Sequence, residues 1–432
     1  MMKVKYSSFL GILVALLLVA SFVVPGRLTS PEPVSANPGL MEWTPVDTPD
    51  TLPVSINSLY TPILPTTYAE GGSELIKLLV GNDGTTMYVQ YAMEAIGGSP
   101  STVDRALYSM LRLMKSTNGG RSWSGLSYSN LVRDMNAAAN TVVVWDIAIA
   151  PDDPNIIVAA VSLVGAIGTQ QVWISTNGGN SWENTQWPPA GVAAPPTNFW
   201  ISTLDISMDF GARMMLVGIR SAGNGINTIY QMKIPGYGGW NVLNLNGTPA
   251  SNLSFPVNTD VIVAKYSPTF NGDSTIAAVV TTNAAADPVG PGTFLATAVV
   301  DIAQNRAEWQ NPSAWVEIMN SGGTPNTNSA RIAEIITADL EMPSDFSGQS
   351  ASLRRFYVSI DAADRPATSP VLPNRGVYRI DDNVANTLMD NTTTFQTITG
   401  TATGRRAASI AYWGTYASGK LLVGERLGAA CT

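Results

Sequence analysis

The chain has 432 residues and carries 24 basic against 32 acidic side chains, a net charge of −8, with no histidine and a single cysteine, Cys431. Charged residues make up 13%, about half the usual quarter of a soluble domain. These figures exclude Ser-His-Asp and Cys-His catalysis, zinc sites of the Cys/His kind, an internal disulfide framework, and the basic surface that nucleic-acid binding needs.

Lys3 and Lys5 precede the apolar run of residues 9–24, FLGILVALLLVASFVV. Its length and basic start fit a secretory signal better than a membrane span, which needs about 20 residues. Val34-Ser35-Ala36 supplies small residues for cleavage. Residues 1–36 are therefore expected to be a signal peptide or an uncleaved anchor, and the remainder an exported, secreted or cell-surface protein. Membrane contact is expected only through an uncleaved N-terminal segment. Residues 37–65 are rich in Pro, Ser and Thr and read as a linker. Within it, residues 41–46 (MEWTPV) have the look of a closing strand.

Beyond residue 65 helix periodicity is lacking, apart from residues 102–115, which suit a short helix or a strand with an excursion. Short β-branched apolar runs are bounded by Gly, Asn, Asp and Pro, the pattern of strands and turns. One repeat is explicit: Ser116-Thr117-Asn118-Gly119-Gly120-Arg121-Ser122-Trp123 recurs 59 residues later as Ser175-Thr176-Asn177-Gly178-Gly179-Asn180-Ser181-Trp182. A degenerate copy ends at Trp240, and Trp309 follows 69 residues after that. A second repeat is independent of it. Paired strands recur six times, the second of each pair at residues 86–92, 155–161, 214–219, 275–280, 355–360 and 420–425. The unit of strand, polar turn, strand, loop, strand, tight turn, strand, with a period near 60, describes one blade of a β-propeller. The expected fold is all-β: a propeller of six to seven four-stranded blades over residues 66–432. The expected blade spans are 70–125, 140–187, 199–247, 258–311, 330–390 and 405–432, the last one cut short in mid-blade.

The Ser-x-Asn-x-Gly-x-x-Trp stretches resemble the Asp-box, or BNR, repeat of the sialidase-like superfamily, with Asn in place of Asp. That superfamily includes sialidases, the sortilin luminal domain, xyloglucan hydrolases and a photosystem II assembly factor. The resemblance implies that Ser116, Asn118, Gly120, Trp123, Ser175, Asn177, Gly179 and Trp182 are structural. They would close the turn between third and fourth strands, away from the central axis. It also implies that a ligand sits on that axis. The superfamily's sialidases place an Arg-Ile-Pro motif before the first box and bind the sugar carboxylate with three arginines. Here Arg112-Leu113-Met114 stands ahead of the box, and no arginine falls in the expected inner register.

Aligning the first strand of each pair on the second puts Lys77, Asp146, Asp205 and Lys265 each 12 residues before its counterpart. In the fifth unit a 12-residue insertion leaves Glu334 in that place, and in the sixth it is Ser409. Charges in an otherwise apolar strand need partners or water, so these side chains are expected to line a wet central channel. One alternative is that they pair with one another. The other is that Lys77, Asp146, Asp205, Lys265 and Glu334 bind a polar ligand. The expected function is a binding or scaffold module for an extracellular glycan or protein. Alternatively, Asp146, Asp205 and Glu334 supply the paired carboxylates of a glycoside hydrolase. An assembly factor for a membrane complex is a third class.

No cofactor is expected. Asp152-Asp153, Asn271-Gly272-Asp273 and Asp381-Asp382-Asn383 are oxygen-rich turns of the kind that can hold calcium, although ordinary turn chemistry also accounts for them. Trp187, Trp200, Trp315 and Trp413 are candidate sugar-stacking platforms or core residues.

Overall fold

The computed structural model describes residues 74–92, 111–138, 141–163, 169–189, 199–221, 228–236, 239–243, 259–282, 292–303, 306–310, 314–319, 335–362, 376–382, 385–388 and 407–425. The expected signal peptide, the linker with its closing strand, Glu334 and Cys431 lie outside them, as do residues 102–110.

The described residues form six antiparallel sheets in chain order. The first contains β1 (Glu74–Val80), β2 (Met87–Ala92) and β3 (Leu111–Ser116). Helix α1 (Leu126–Asp134) follows it. The second sheet is β4 (Val142–Ala150), β5 (Asp153–Leu163), β6 (Gln171–Ser175) and β7 (Glu183–Asn184). The third is β8 (Phe199–Ile206), β9 (Arg213–Ser221), β10 (Ile229–Ile234) and β11 (Asn241–Leu243). The fourth holds β12 (Thr259–Tyr266), the single turn α2 (Phe270–Asp273), β13 (Thr275–Thr282), β14 (Gly292–Asp301), β15 (Arg306–Trp309) and β16 (Val316–Met319), the last paired with β14. The fifth is β17 (Ile335–Glu341), β18 (Arg355–Ala362), β19 (Gly376–Asp381) and β20 (Ala385–Leu388). The sixth is the hairpin β21 (Ala407–Gly414) and β22 (Gly419–Glu425).

In each sheet the first strand is innermost, and it neighbours the first strand of the next: β1 with β4, β4 with β8, β8 with β12, β12 with β17, β17 with β21. This is a β-propeller with five blades and, at the sixth position, a hairpin. Sequence spacing led to six or seven four-stranded blades. The strands expected to complete the sixth, around 41–46 and beyond residue 427, lie outside the described residues. No helix among the described residues is long and apolar enough to cross a membrane.

The apolar content goes into five clusters, one between each consecutive pair of sheets. Strand β5 shows why. Ile157, Ala159 and Val161 pack toward the first blade and α1, while Ile156, Val158 and Ala160 pack toward the third. Side chains alternate across a strand, so a blade buried on both faces must be apolar at every position. This accounts for the low charge of the chain.

Both repeat turns have the same internal bonding. Ser116 Oγ donates to Asn118 Oδ1 at 2.9 Å, Gly120 N donates to Ser116 Oγ at 2.9 Å, and Ser122 N donates to Asn118 Oδ1 at 2.9 Å. The second turn repeats this with Ser175, Gly179, Ser181 and Asn177 at 2.9, 2.8 and 2.9 Å. The second links β6 to β7, and the first follows β3 and leads to a bridge between Lys115 and Ser124. Gly179 sits at φ +84°, where a Cβ would also strike Ser127 of α1. Trp182 is buried, its Nε1–H donating to Ser127 O, while Trp123 is half-buried. Helix α1 was not expected from the sequence. It packs Tyr128, Leu131 and Val132 into the cluster between the first two blades.

Candidate functional site

All six inner strands share one irregularity. A bulge precedes Lys77, Asp146, Thr203, Val263, Thr337 and Ser409. Aligned on this bulge, the candidate residues fall in two tiers rather than one. Lys77 and Asp146 stand at the bulge. Asp205, Lys265 and Asp339 stand two residues further along, about 6.6 Å up the strand and on the same face. The constant 12-residue spacing misleads because the following turn lengthens, from 81–86 in the first blade to 207–214 in the third and 267–275 in the fourth. In the fifth blade the insertion lies between Glu341 and Arg355, and Leu340 pairs with Val358. Asp339 and Glu341, which the sequence alignment passed over, therefore occupy the place given to Glu334.

The two tiers form ion pairs between blades. Lys77 Nζ lies 2.8 Å from Asp146 Oδ1. Lys265 Nζ lies 2.7 Å from Glu341 Oε1 and 3.1 Å from Asp339 Oδ1. Three of the carboxylates also accept a backbone N–H from the next inner strand. Leu204 N donates to Asp146 Oδ2 at 2.7 Å, Tyr266 N to Asp205 Oδ2 at 2.7 Å, and Ile410 N to Asp339 Oδ2 at 3.1 Å. The second blade is thus clasped to the third, the third to the fourth, and the fifth to the hairpin. Gln90 adds a further link, donating to Val144 O at 2.7 Å. Charge-assisted bonds of this kind are among the stronger polar contacts in a protein.

Electrostatics follow from depth. Burial would lower the Lys265 ammonium, but Asp339 and Glu341 outweigh it and hold it above the ordinary lysine range. Burial raises the Glu341 carboxyl, with Lys265 pulling the other way. Burial also pushes Asp205 up to about 6, against the opposing pull of Lys265 and the Tyr266 N–H. A free aspartate titrates near 4. Between pH ~4 and ~6 the folded protein keeps a proton at Asp205 that the unfolded chain has released, so this group makes stability fall as pH rises through that window. The expected result is that wild-type protein loses stability relative to Asp205→Asn by on the order of 2 kcal/mol between pH 4 and 6.5. Urea unfolding of both proteins across that range reads it.

The other sequence candidates have structural partners. Asp152 accepts Arg213 Nη2 at 2.7 Å, and Asp153 accepts Asn155 N at 3.0 Å. Asp273 accepts Ser267, Thr275 N and Gly348 N. Asp381 and Asp382 pair with Arg355 and Arg354. Among the described residues no group of three or more Asp, Glu, Cys or His side chains could hold a metal ion. Arg112 is buried, donating to Val142 O and lying over the Tyr128 ring. Trp187 and Trp315 are core residues, Trp200 is half-buried beneath Arg220, and Trp413 is 78% exposed.

No family model matches the sequence, and no curated protein matches it. Among solved structures the chain is similar to the α-L-arabinofuranosidase Arb93A from Fusarium graminearum, 11% identical over 71% of this chain and 77% of that one, with a TM-score of 0.35. It is similar to TolB from Acinetobacter baumannii at 13% identity over 70% of this chain, with a TM-score of 0.33. It spans about half, 52%, of that TolB chain. The Aleuria aurantia lectin is 14% identical over 70% of this chain and 72% of its own, with a TM-score of 0.31. The sheet order and the packing between consecutive sheets, and not these similarities, make the chain a β-propeller.

Proposed function

We propose that this is an exported β-propeller that binds an extracellular glycan or protein at its channel mouth and performs no hydrolysis there. The observation that carries the reading is the state of the channel carboxylates. Asp146 has one oxygen on Lys77 and the other on Leu204 N, and Asp339 is held by Lys265 and Ile410 N. A general acid or nucleophile must be able to approach a substrate atom, and these groups already face protein. Lys77, with 29% of its side chain exposed, is the group we assign to ligand, while Asp146, Asp205 and Lys265, candidates with it from the sequence, are engaged with neighbouring strands. Glu334 was the fifth candidate and lies outside the described residues. The two repeat turns, bonded alike, support an Asp-box type of propeller, with six or seven blades once outer strands complete the last.

One observation favours the second reading, a glycoside hydrolase. Asp205, raised to about 6, has the acidity that a general acid needs near neutral pH. A glycan array together with a panel of aryl glycosides separates the two. Binding without turnover is the expected result. Turnover that vanishes in Asp205→Asn would overturn it.

A further inference from the structure

Each of the two repeat turns contains an Asn-Gly step, Asn118-Gly119 and Asn177-Gly178. In an open chain this is a reactive pair. Asparagine is one of the thermally labile residues, and glycine has no Cβ to hinder approach of its backbone nitrogen to the preceding side chain. That nitrogen gives up its proton and attacks the asparagine Cγ. A C–N bond forms, the Cγ–Nδ2 bond breaks and ammonia leaves with the proton, giving a cyclic imide. Water then opens either imide C–N bond. The products are aspartate, or isoaspartate, whose main chain runs through the side-chain carbon.

The fold ties up both reactants. Gly119 N donates to Thr85 O at 2.9 Å, and Gly178 N donates to Asn155 O at 2.8 Å. The Asn118 amide accepts from Ser116 Oγ and Ser122 N and donates to Ser122 Oγ, at 2.9, 2.9 and 2.8 Å. The Asn177 amide is held in the same way by Ser175 and Ser181. The second turn is also tied to the first blade and to α1. Lys115 Nζ donates to Gly178 O at 2.8 Å, Asn130 Nδ2 to Gly179 O at 3.0 Å, and Trp182 N to Asp134 Oδ2 at 2.8 Å. The strand beyond it, β7, has only two residues, and short outer segments open locally at low cost. We propose that Asn118 and Asn177 are deamidation sites whose reactant is water: the closed turn keeps each intact, and opening of the turn makes it reactive. Aspartate then rebuilds the turn. Its Oδ1 accepts the same two bonds, and its Oδ2 accepts from the serine hydroxyl to which the amide donates. Isoaspartate does not, because its extra main-chain carbon changes the spacing from Ser116 to Gly120 or from Ser175 to Gly179.

The test is peptide mapping by mass spectrometry of the full chain, incubated at pH 8 in buffer and in unfolding urea. The proposal expects both sites to deamidate at least about tenfold more slowly in the folded chain. It expects Asn130→Ala, and more strongly the pair Asn130→Ala and Asp134→Ala, to speed deamidation at Asn177 in buffer while leaving Asn118 unchanged. Circular dichroism checks that these variants fold, and in urea they should match the wild type. Asn118→Asp and Asn177→Asp are expected to keep the wild-type unfolding midpoint. Equal rates in buffer and in urea would overturn the proposal. So would a folded Asn130→Ala, Asp134→Ala protein whose Asn177 reacts no faster than that of the wild type. A lowered midpoint in both aspartate variants would overturn the claim that aspartate rebuilds the turn.

Discussion

Replacing Lys265 by methionine is expected to lower the free energy of unfolding by about 3 kcal/mol at pH 7. Methionine keeps most of the stem's packing, so the loss is electrostatic. It leaves Asp339 and Glu341 facing one another without the cation that lies 3.1 and 2.7 Å from them. Asp205, also influenced by Lys265, loses the charge that opposes its burial. Removing one partner of a largely buried pair costs more than the pair contributes, because the remaining charges are uncompensated. The loss should shrink below pH 5, where the orphaned carboxyls take up protons. Urea unfolding of Lys265→Met at pH 7 and pH 4.5 reads both statements. A loss of less than 1 kcal/mol at pH 7 would mean that water screens the cluster.

The second large effect is at Trp187. Its ring meets Tyr230 at 4.8 Å, Trp240 at 5.0 Å and Phe199 at 6.1 Å, in each case edge to face. It lies just past the outermost strand of the second blade and fills the cluster shared with the third. Trp187→Ala should cost about 4 kcal/mol, the usual range for deleting a buried large aromatic, with part of the loss from the edge-to-face pairs. Trp413→Ala makes the matched control. At 78% exposure it should change stability by less than about 0.5 kcal/mol. Thermal or urea unfolding of the two variants side by side reads the contrast. Equal losses would show that the second and third blades are not packed as described.

Much of the architecture was legible in the sequence, for a physical reason. Alternating apolar residues on both faces, as in residues 155–161, mark strands buried between neighbours, and the six paired-strand starts correspond to five blades and one hairpin. The Ser-Asn-Gly-Gly turns were legible because a hydroxyl and an amide must close them and glycine must take positive φ, as Gly119, Gly120, Gly178 and Gly179 do. Helix α1 was overlooked although its signal was present. Tyr128, Leu131, Val132 and Met135 have the i, i+3, i+4, i+7 spacing of an amphipathic helix, and all four pack into one cluster. It was masked by its position just after a repeat turn, in a chain read as lacking helix periodicity.

The site was legible in kind and not in register. Charged residues in apolar inner strands did mark where neighbouring blades are joined, and Lys77, Asp146, Asp205 and Lys265 all take part in contacts between them. Their exact levels depend on turn length and on the bulge common to all six strands, neither of which spacing alone reveals. The fifth blade shows the cost most plainly. Residues 342–354 form a strap from β17 to β18 whose backbone reaches Asp273 and Thr269 of the fourth blade and Gly414 of the hairpin. Counting across that strap displaced the expected acid by five residues, from Asp339 to Glu334. What the acids do was beyond spacing altogether, because their bonds run to backbone N–H groups of the next blade.

The claim at the centre of this account is that the inner-strand charges hold neighbouring blades together. The pair Lys77–Asp146, 69 residues apart in sequence and 2.8 Å apart in space, offers its most direct test. A double-mutant cycle with Lys77→Met and Asp146→Asn, read by urea unfolding at pH 7, should give a coupling energy of about 1 kcal/mol or more. Coupling within ~0.3 kcal/mol of zero would contradict it, leaving Asp146 free to meet a ligand.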